Sequence, residues 1–135
     1  MRETRTLGNT LAELTPALDW LEATLRAAGV AAAVVGELRL IAEESVSNVI
    51  RHGYADSARH AIEVTVEIGG GEILLELRDD GLPFNPLAVP APGPRAPSTE
   101  RAGGWGVHLL QRLVDRADYR REGDANVLRL VKRPE

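Results

Sequence analysis

The chain has 135 residues, a length that suits one domain with a real core. Hydrophobic residues make up 44% and aromatic residues only 4%, so Leu, Val, Ile and Ala must fill that core. A net charge of −4 argues against a nucleic-acid binder that works by electrostatics, and the absence of cysteine excludes a disulfide scaffold and a Cys-ligated zinc site.

No apolar run approaches the roughly 20 residues that a membrane-spanning helix needs. The opening MRETRTLGNT lacks the apolar segment of a signal peptide. A soluble, cytoplasmic domain is expected, with no membrane and no direct nucleic-acid partner.

Residues 2–8 fit a short edge strand. A helix then starts at Asn9 or at Thr15, where Thr15-Pro16 puts a capping hydroxyl before a proline at the first helical position. Leu14, Leu18, Leu21 and Leu25 recur at helical spacing, and Gly29 marks the end. Trp20 lies off that stripe and reads as an edge-packing residue. A second helix covers Ala32 to His52 and stops at Gly53.

Within this second helix, Leu38, Ile41, Ala42, Ser45 and Val49 form a largely apolar stripe. Glu44 and Asn48 lie four apart and stack one turn from each other on one face. A carboxylate can accept a proton and a carboxamide oxygen can ligate a hard cation, so the pair can do chemistry at one point. The same pair can equally be a solvated face beside the core stripe. Glu43 projects about 100° away around the helix and reads as solvated. His52 suits a helix C-terminus, where positive charge is favourable.

Residues 55–60 are polar and loop-like. Ile62, Val64, Val66 and Ile68 then alternate with Glu63, Thr65 and Glu67, and Gly69-Gly70-Gly71 makes a turn. Ile73, Leu75 and Leu77 alternate with Leu74, Glu76 and Arg78. This is the pattern of an antiparallel hairpin with one covered and one largely wet face. Asp79 has the parity of Ile73, Leu75 and Leu77 and points inward if the strand continues. It would be costly to bury there without hydrogen-bond donors. If the strand has already ended, Asp79 is a turn residue beside Gly81. Asp80 reads as a turn residue in either case.

The stretch 82–103 contains six prolines and little periodicity, so it is neither a regular helix nor a central strand. It reads as a lid over a ligand, about residues 83–103, or as a spacer loop. Gly103-Gly104-Trp105-Gly106 then opens a helix, VHLLQRLVDRA, with Val107, Leu110, Leu113 and Val114 at helical spacing. Glycines at a helix start let a phosphate approach bare N–H groups. Neither a P-loop nor a dinucleotide fingerprint fits. Two strands close the chain, about Ala117–Arg121 and Val127–Lys132, joined at Gly123-Asp124. His60 and His108 have no partner at metal-ligand spacing. No internal repeat and no second domain is visible, so residues 1–135 are expected to form a single domain.

Three features thus occur in order: a helix with Glu44 and Asn48, a strand ending in Asp79-x-Gly81, and a Gly104-x-Gly106 helix start after an irregular segment. Together they resemble the Bergerat-type ATP-binding fold of gyrase and histidine kinases, and more closely the small bacterial anti-sigma factor serine kinases. EESVSNVIRHGY is similar to the family's N box, RDDGLPFNP to its first glycine box, GWGVHLLQRLVD to its second, and LRLVKR to its final strand. The resemblance spans nearly the whole chain.

It implies an α/β (α+β) two-layer sandwich, with a mixed, mostly antiparallel sheet of about five strands covered on one face by three helices. It also implies ATP and Mg²⁺ as cofactors. Asn48 would ligate the Mg²⁺ and Glu44 would be the general base toward a serine hydroxyl. Asp79 would accept the adenine amino hydrogen, with Gly81 keeping the backbone clear of the ring. Gly104 and Gly106 would let the lid and its helix close on the phosphates. Trp105 departs from the pattern, as does the Pro90–Pro97 tract. Arg101, and after it Arg95, is the candidate for a lid arginine, though neither aligns cleanly. The partners implied are a sigma factor and a STAS-type anti-anti-sigma protein, with a homodimer in keeping with the family. Two alternatives stay open: a nucleotide-gated interaction module without phosphotransfer, and a regulatory domain that has lost ATP.

Overall fold

A computed structural model describes residues 1–88 and 110–133. Its elements are β1 (Arg2–Gly8), α1 (Leu11–Ala27), α2 (Ala32–His52), β2 (Ala61–Gly69), β3 (Glu72–Asp79), β4 (Arg116–Glu122) and β5 (Ala125–Lys132). A short 3₁₀ turn covers Pro86–Ala88, and residues 110–113 are helical. Arg95, Arg101, Gly104, Trp105, Gly106 and His108, with most of the expected lid, lie outside the described residues.

The five strands form one sheet in the order β1-β2-β3-β5-β4. The five-stranded, mostly antiparallel sheet expected is thus found, and among the described residues all four pairings are antiparallel, with no parallel pair. The reason is the return path. After β3 the chain leaves the sheet and comes back as the β4–β5 hairpin, whose second strand takes the place beside β3. The β2–β3 hairpin turns on Gly70 and Gly71, with φ of 60° and 76°. Two consecutive positive φ values are what a two-residue turn needs to match strand twist, and glycine adopts them without steric cost.

Helix α1 starts at Leu11 after an extended Thr10, and Pro16 lies inside it. Thr15-Pro16 is therefore not the start signal. Glu13 anchors the earlier start: its carboxylate accepts the Gly8 N–H at 2.7 Å and Arg59 Nη2 at 2.8 Å. These two bonds, the first above all, hold the Glu13 carboxyl below its usual range. Pro16 then falls in the second turn, where its missing N–H removes a single helical bond. The helix that was expected to run through Ala117 stops at Leu113. The Leu113 carbonyl is capped by Lys132 Nζ at 2.6 Å, and the Asp115 N–H bonds the Val131 carbonyl, which draws the chain into the sheet.

One face of the sheet and one side of each helix make the core. Ile62, Val64, Val66, Ile73, Leu75, Leu77, Leu128 and Leu130 supply the sheet side. Leu14, Leu18, Leu21 and Leu25 of α1 and Val35, Leu38, Ile41, Ala42 and Val46 of α2 supply the helical side. Full burial of each large aliphatic side chain is worth about 1.5–3 kcal/mol. The opposite face of the sheet carries ion pairs such as Arg2–Glu67, Arg78–Glu122 and Arg129–Glu76. Exposed pairs of this kind add about 0–1 kcal/mol apiece, so the core decides stability.

The loop after α2 is tied to the end of β3 through His60. Its Nε2 lies 2.7 Å from Asp56 Oδ1 and its Nδ1 lies 3.1 Å from Asp80 Oδ1. Its ring stacks on Tyr54 with centroids 4.2 Å apart. Two carboxylates can only accept, so both ring nitrogens donate when the site is satisfied, which is the imidazolium form. The bond to Asp56, and then that to Asp80, raises the His60 pKa above its usual 6.5.

Leu25 is fully buried, so Leu25→Ala should lower unfolding free energy by about 2–5 kcal/mol in urea titration. The His60 tie has a defined pH sign. With the folded pKa raised, its contribution is complete below pH 6.5 and is lost as pH rises through the folded value. The Tm difference between wild type and His60→Gln should therefore be largest below pH 6.5 and shrink toward alkaline pH.

Candidate functional site

Asp79 closes the inward row of β3. Along that strand Ile73, Leu75, Leu77 and Asp79 are buried, while the residues between them are only partly covered. The strand thus continues to Asp79, and the turn reading is set aside. Asp79 pairs with Ile62 on one side and Asn126 on the other, and is 8% exposed. Its Oδ1 accepts the Gly81 N–H at 2.8 Å and Asn126 Nδ2 at 3.0 Å. Among the described residues, no protein donor meets Oδ2. Burial of a carboxylate is tolerable only with such donors, and both of these meet the same oxygen.

Gly81 is packed against the end of α2. A Cβ there would overlap the Gly53 carbonyl oxygen and come within 2.9 Å of Asp79 Oδ1. The Leu82 N–H also bonds the Gly53 carbonyl, at 2.7 Å. The loop after β3 therefore sits directly on the last turn of the helix that carries Glu44 and Asn48. Arg121 Nη1 holds the Gly81 carbonyl from β4, at 2.8 Å.

On α2, Glu44 and Asn48 are half-buried and flank the stripe formed by Leu38, Ile41, Ala42 and Ser45, while Glu43 and His52 are exposed. At 1.5 Å per residue, Asn48 lies about 7.5 Å and Glu44 about 13.5 Å along the helix axis from Gly53. The two side chains and the Asp79 carboxylate are joined through this helix end; among the described residues no hydrogen bond links them directly. Two buried hydroxyls, Ser45 Oγ and Tyr54 Oη, have no partner among the described residues. Burial, and then the charges of Asp79 and Asp80, push the Tyr54 phenol up, so it stays protonated and able to donate. A buried hydroxyl without a partner is costly.

The sequence reading missed Asn126. The last strand was expected to start at Val127, which left Asn126 in the turn. In fact β5 starts at Ala125, and Asn126 shares the inward parity of Leu128 and Leu130. An amide at the inward parity of an otherwise apolar row was the available signal. Ser45 was placed on the stripe, and Tyr54 in the N-box segment, without a role.

A family model for the histidine kinase-like ATPase domain matches residues 7–132. The serine/threonine-protein kinase BtrW of Bordetella bronchiseptica is 28% identical over 130 residues, covering 96% of this chain and 92% of that protein. Among solved structures, the RsbU and RsbW domains of Rv1364c from Mycobacterium tuberculosis align with a TM-score of 0.72 at 19% identity. That alignment covers 98% of this chain and 32% of the other, so this chain spans about a third of that structure's length. The blue-light activated histidine kinase of Erythrobacter litoralis EL346 aligns over 78% of this chain and 32% of its own, with a TM-score of 0.59 and 19% identity. At such identities the structural likenesses speak for the fold, while the family model covers sheet and helices alike. The chain belongs to the histidine kinase-like ATPase domain family.

Proposed function

We propose that this protein is an ATP-dependent protein serine kinase of the anti-sigma factor type, which phosphorylates a STAS-type antagonist and holds a sigma factor inactive. The observation that carries the reading is the buried Asp79, whose turn rests on the same helix that presents Glu44 and Asn48. An acceptor at one end and an oxygen ligand with a base at the other suit a nucleotide laid between sheet and helices. The family description and the kinase relative support ATP use and kinase ancestry. The sigma factor and the antagonist follow from the resemblance of the motifs, as do the cytoplasmic setting and the single-domain organisation with a lid over residues 83–103.

The residues fit adenine. Asp79 Oδ2 would accept the amino hydrogen, since both protein donors to this carboxylate meet Oδ1. They also fit Mg²⁺, a hard cation that keeps several waters and needs few protein oxygens, for which Asn48 Oδ1 is the candidate. When bound, that ion neutralises charge on the phosphoryl oxygens. Glu44 would take the proton from the attacking serine hydroxyl, leaving its oxygen free to form the new P–O bond as the bond to the ADP oxygen breaks. Phosphoryl transfer asks for positioning more than covalent help, so one base and aligned phosphates suffice. Gly104, Gly106 and Arg101 would act from the lid side. Among the described residues, no helix is long and apolar enough to cross a membrane.

Two measurements test the reading. ATP–Mg²⁺ at a hundredfold excess over Kd should stabilise the wild type by about 2.7 kcal/mol in a thermal-shift experiment. Asp79→Asn should lose most of that shift, and no shift in the wild type would overturn the assignment. With a STAS-type antagonist as acceptor, Glu44→Ala should cut phosphotransfer by about 10²–10⁴-fold while ATP binding persists. Nucleotide binding without transfer in the wild type would favour a nucleotide-gated interaction module instead.

A further inference from the structure

We infer that Asn126, oriented by Tyr119, is the positioning residue that makes Asp79 select a 6-amino purine over a 6-oxo purine. The inference rests on the adenine-nucleotide reading above. Asn126 is 6% exposed and uses its whole hydrogen-bonding capacity. Its Nδ2 donates to Asp79 Oδ1 at 3.0 Å and to the Leu82 carbonyl at 2.9 Å. Its Oδ1 accepts the Tyr119 hydroxyl at 2.5 Å and the Phe84 N–H at 3.3 Å.

The network leaves the amide one orientation. Turned over, its oxygen would face the Asp79 carboxylate and the Leu82 carbonyl, both acceptors, and its NH₂ would face the Phe84 N–H, a donor. The Phe84 N–H and the Leu82 carbonyl therefore aim the NH₂ at Asp79, and the Tyr119 hydroxyl, which can donate or accept, holds the amide in that orientation. With Gly81 N–H as second donor, Asp79 Oδ1 is saturated and the carboxylate cannot turn without breaking two bonds. Only Oδ2 addresses the base, as an acceptor at a fixed place. An exocyclic amino group satisfies it. A 6-oxo group opposes it, acceptor to acceptor, and a carboxylate fixed on the amino position cannot shift to meet the adjacent N1–H of a 6-oxo purine instead. Without the amide, the carboxylate is free to swing toward that N1–H, and discrimination falls. The same amide also holds Leu82 and Phe84, the first residues after the glycine turn, so base recognition and the root of the following segment share one side chain.

ATP and inosine triphosphate differ at the base alone, so the ratio of their dissociation constants isolates this effect from phosphate and metal contributions. Calorimetric titration of each, with Mg²⁺, should show a clear ATP preference in the wild type. In Asn126→Ala the preference should fall at least about tenfold, because a site that pairs its polar groups with the ligand discriminates through those pairs. Tyr119→Phe keeps the ring and should lower the preference about twofold to tenfold, the range of one neutral hydrogen bond. A structural role alone would lower Tm or weaken both nucleotides equally, leaving the ratio unchanged. Should Asn126→Ala fail to fold, the Tyr119→Phe ratio decides. Folded variants that keep the wild-type ratio, or a wild type with no preference, overturn the inference while nucleotide binding stands. A wild type that binds neither nucleotide removes the functional reading itself and this inference with it.

Discussion

A carboxylate held at the inner end of an apolar strand is the constraint on which the site depends. Asp79 lies in the row of Ile73, Leu75 and Leu77, where an unpaired charge would be expelled. Three neighbours make its position tolerable. Gly81 supplies a backbone N–H, Asn126 supplies an amide, and the Gly53 carbonyl leaves room for no side chain on Gly81. Each comes from a different part of the chain, so the sheet, the β4–β5 hairpin and the end of α2 must all be in register before the acid is accommodated. That requirement joins fold and site: the arrangement that satisfies Asp79 also sets α2, with Glu44 and Asn48, beside it.

The two layers divide their tasks. The covered face is almost wholly aliphatic, which suits a chain with few aromatic residues, and it supplies the binding energy of helices to sheet. At one end of that layer polar contacts cluster around Asp79, Asn126, Tyr119 and the loop from Gly81 to Phe84, and at the other end Lys132, opposite Ile73, reaches the Leu113 carbonyl and Glu37. The opposite face is laced with charge pairs that contribute little individually.

Much of this was legible in the chain itself. Alternation in residues 62–68 and 73–77 defined both strands of the hairpin, and the helical spacing with Gly53 placed α2 at its observed bounds. Parity offered Asp79 an inward place but left a turn open, and its pairing with Ile62 and Asn126 decides for the strand. What escaped were features that depend on distant partners. The start of α1 is decided by Glu13 reaching Gly8 and Arg59, a contact that local capping rules do not encode. The end of the helix before β4 is decided by Lys132 and Val131, which lie on another strand. Asn126 was hidden because a hairpin boundary off by two residues moves an inward side chain into a turn. That every described pairing is antiparallel was a matter of topology, which local pattern does not carry.

The position of β5 between β3 and β4 has a consequence for biosynthesis. Asp79 and the amide that donates to it are separated by 47 residues, and β5 ends close to the C-terminal side of the described chain. A growing polypeptide that has already paired β1, β2 and β3 still presents the inner edge of β3 unpaired, with an acidic group short of one donor. Closure waits for the last strand to leave the ribosome and insert. Until then the half-built sheet offers an open edge to any other strand, the kind of transient exposure at which chains associate wrongly or recruit chaperones.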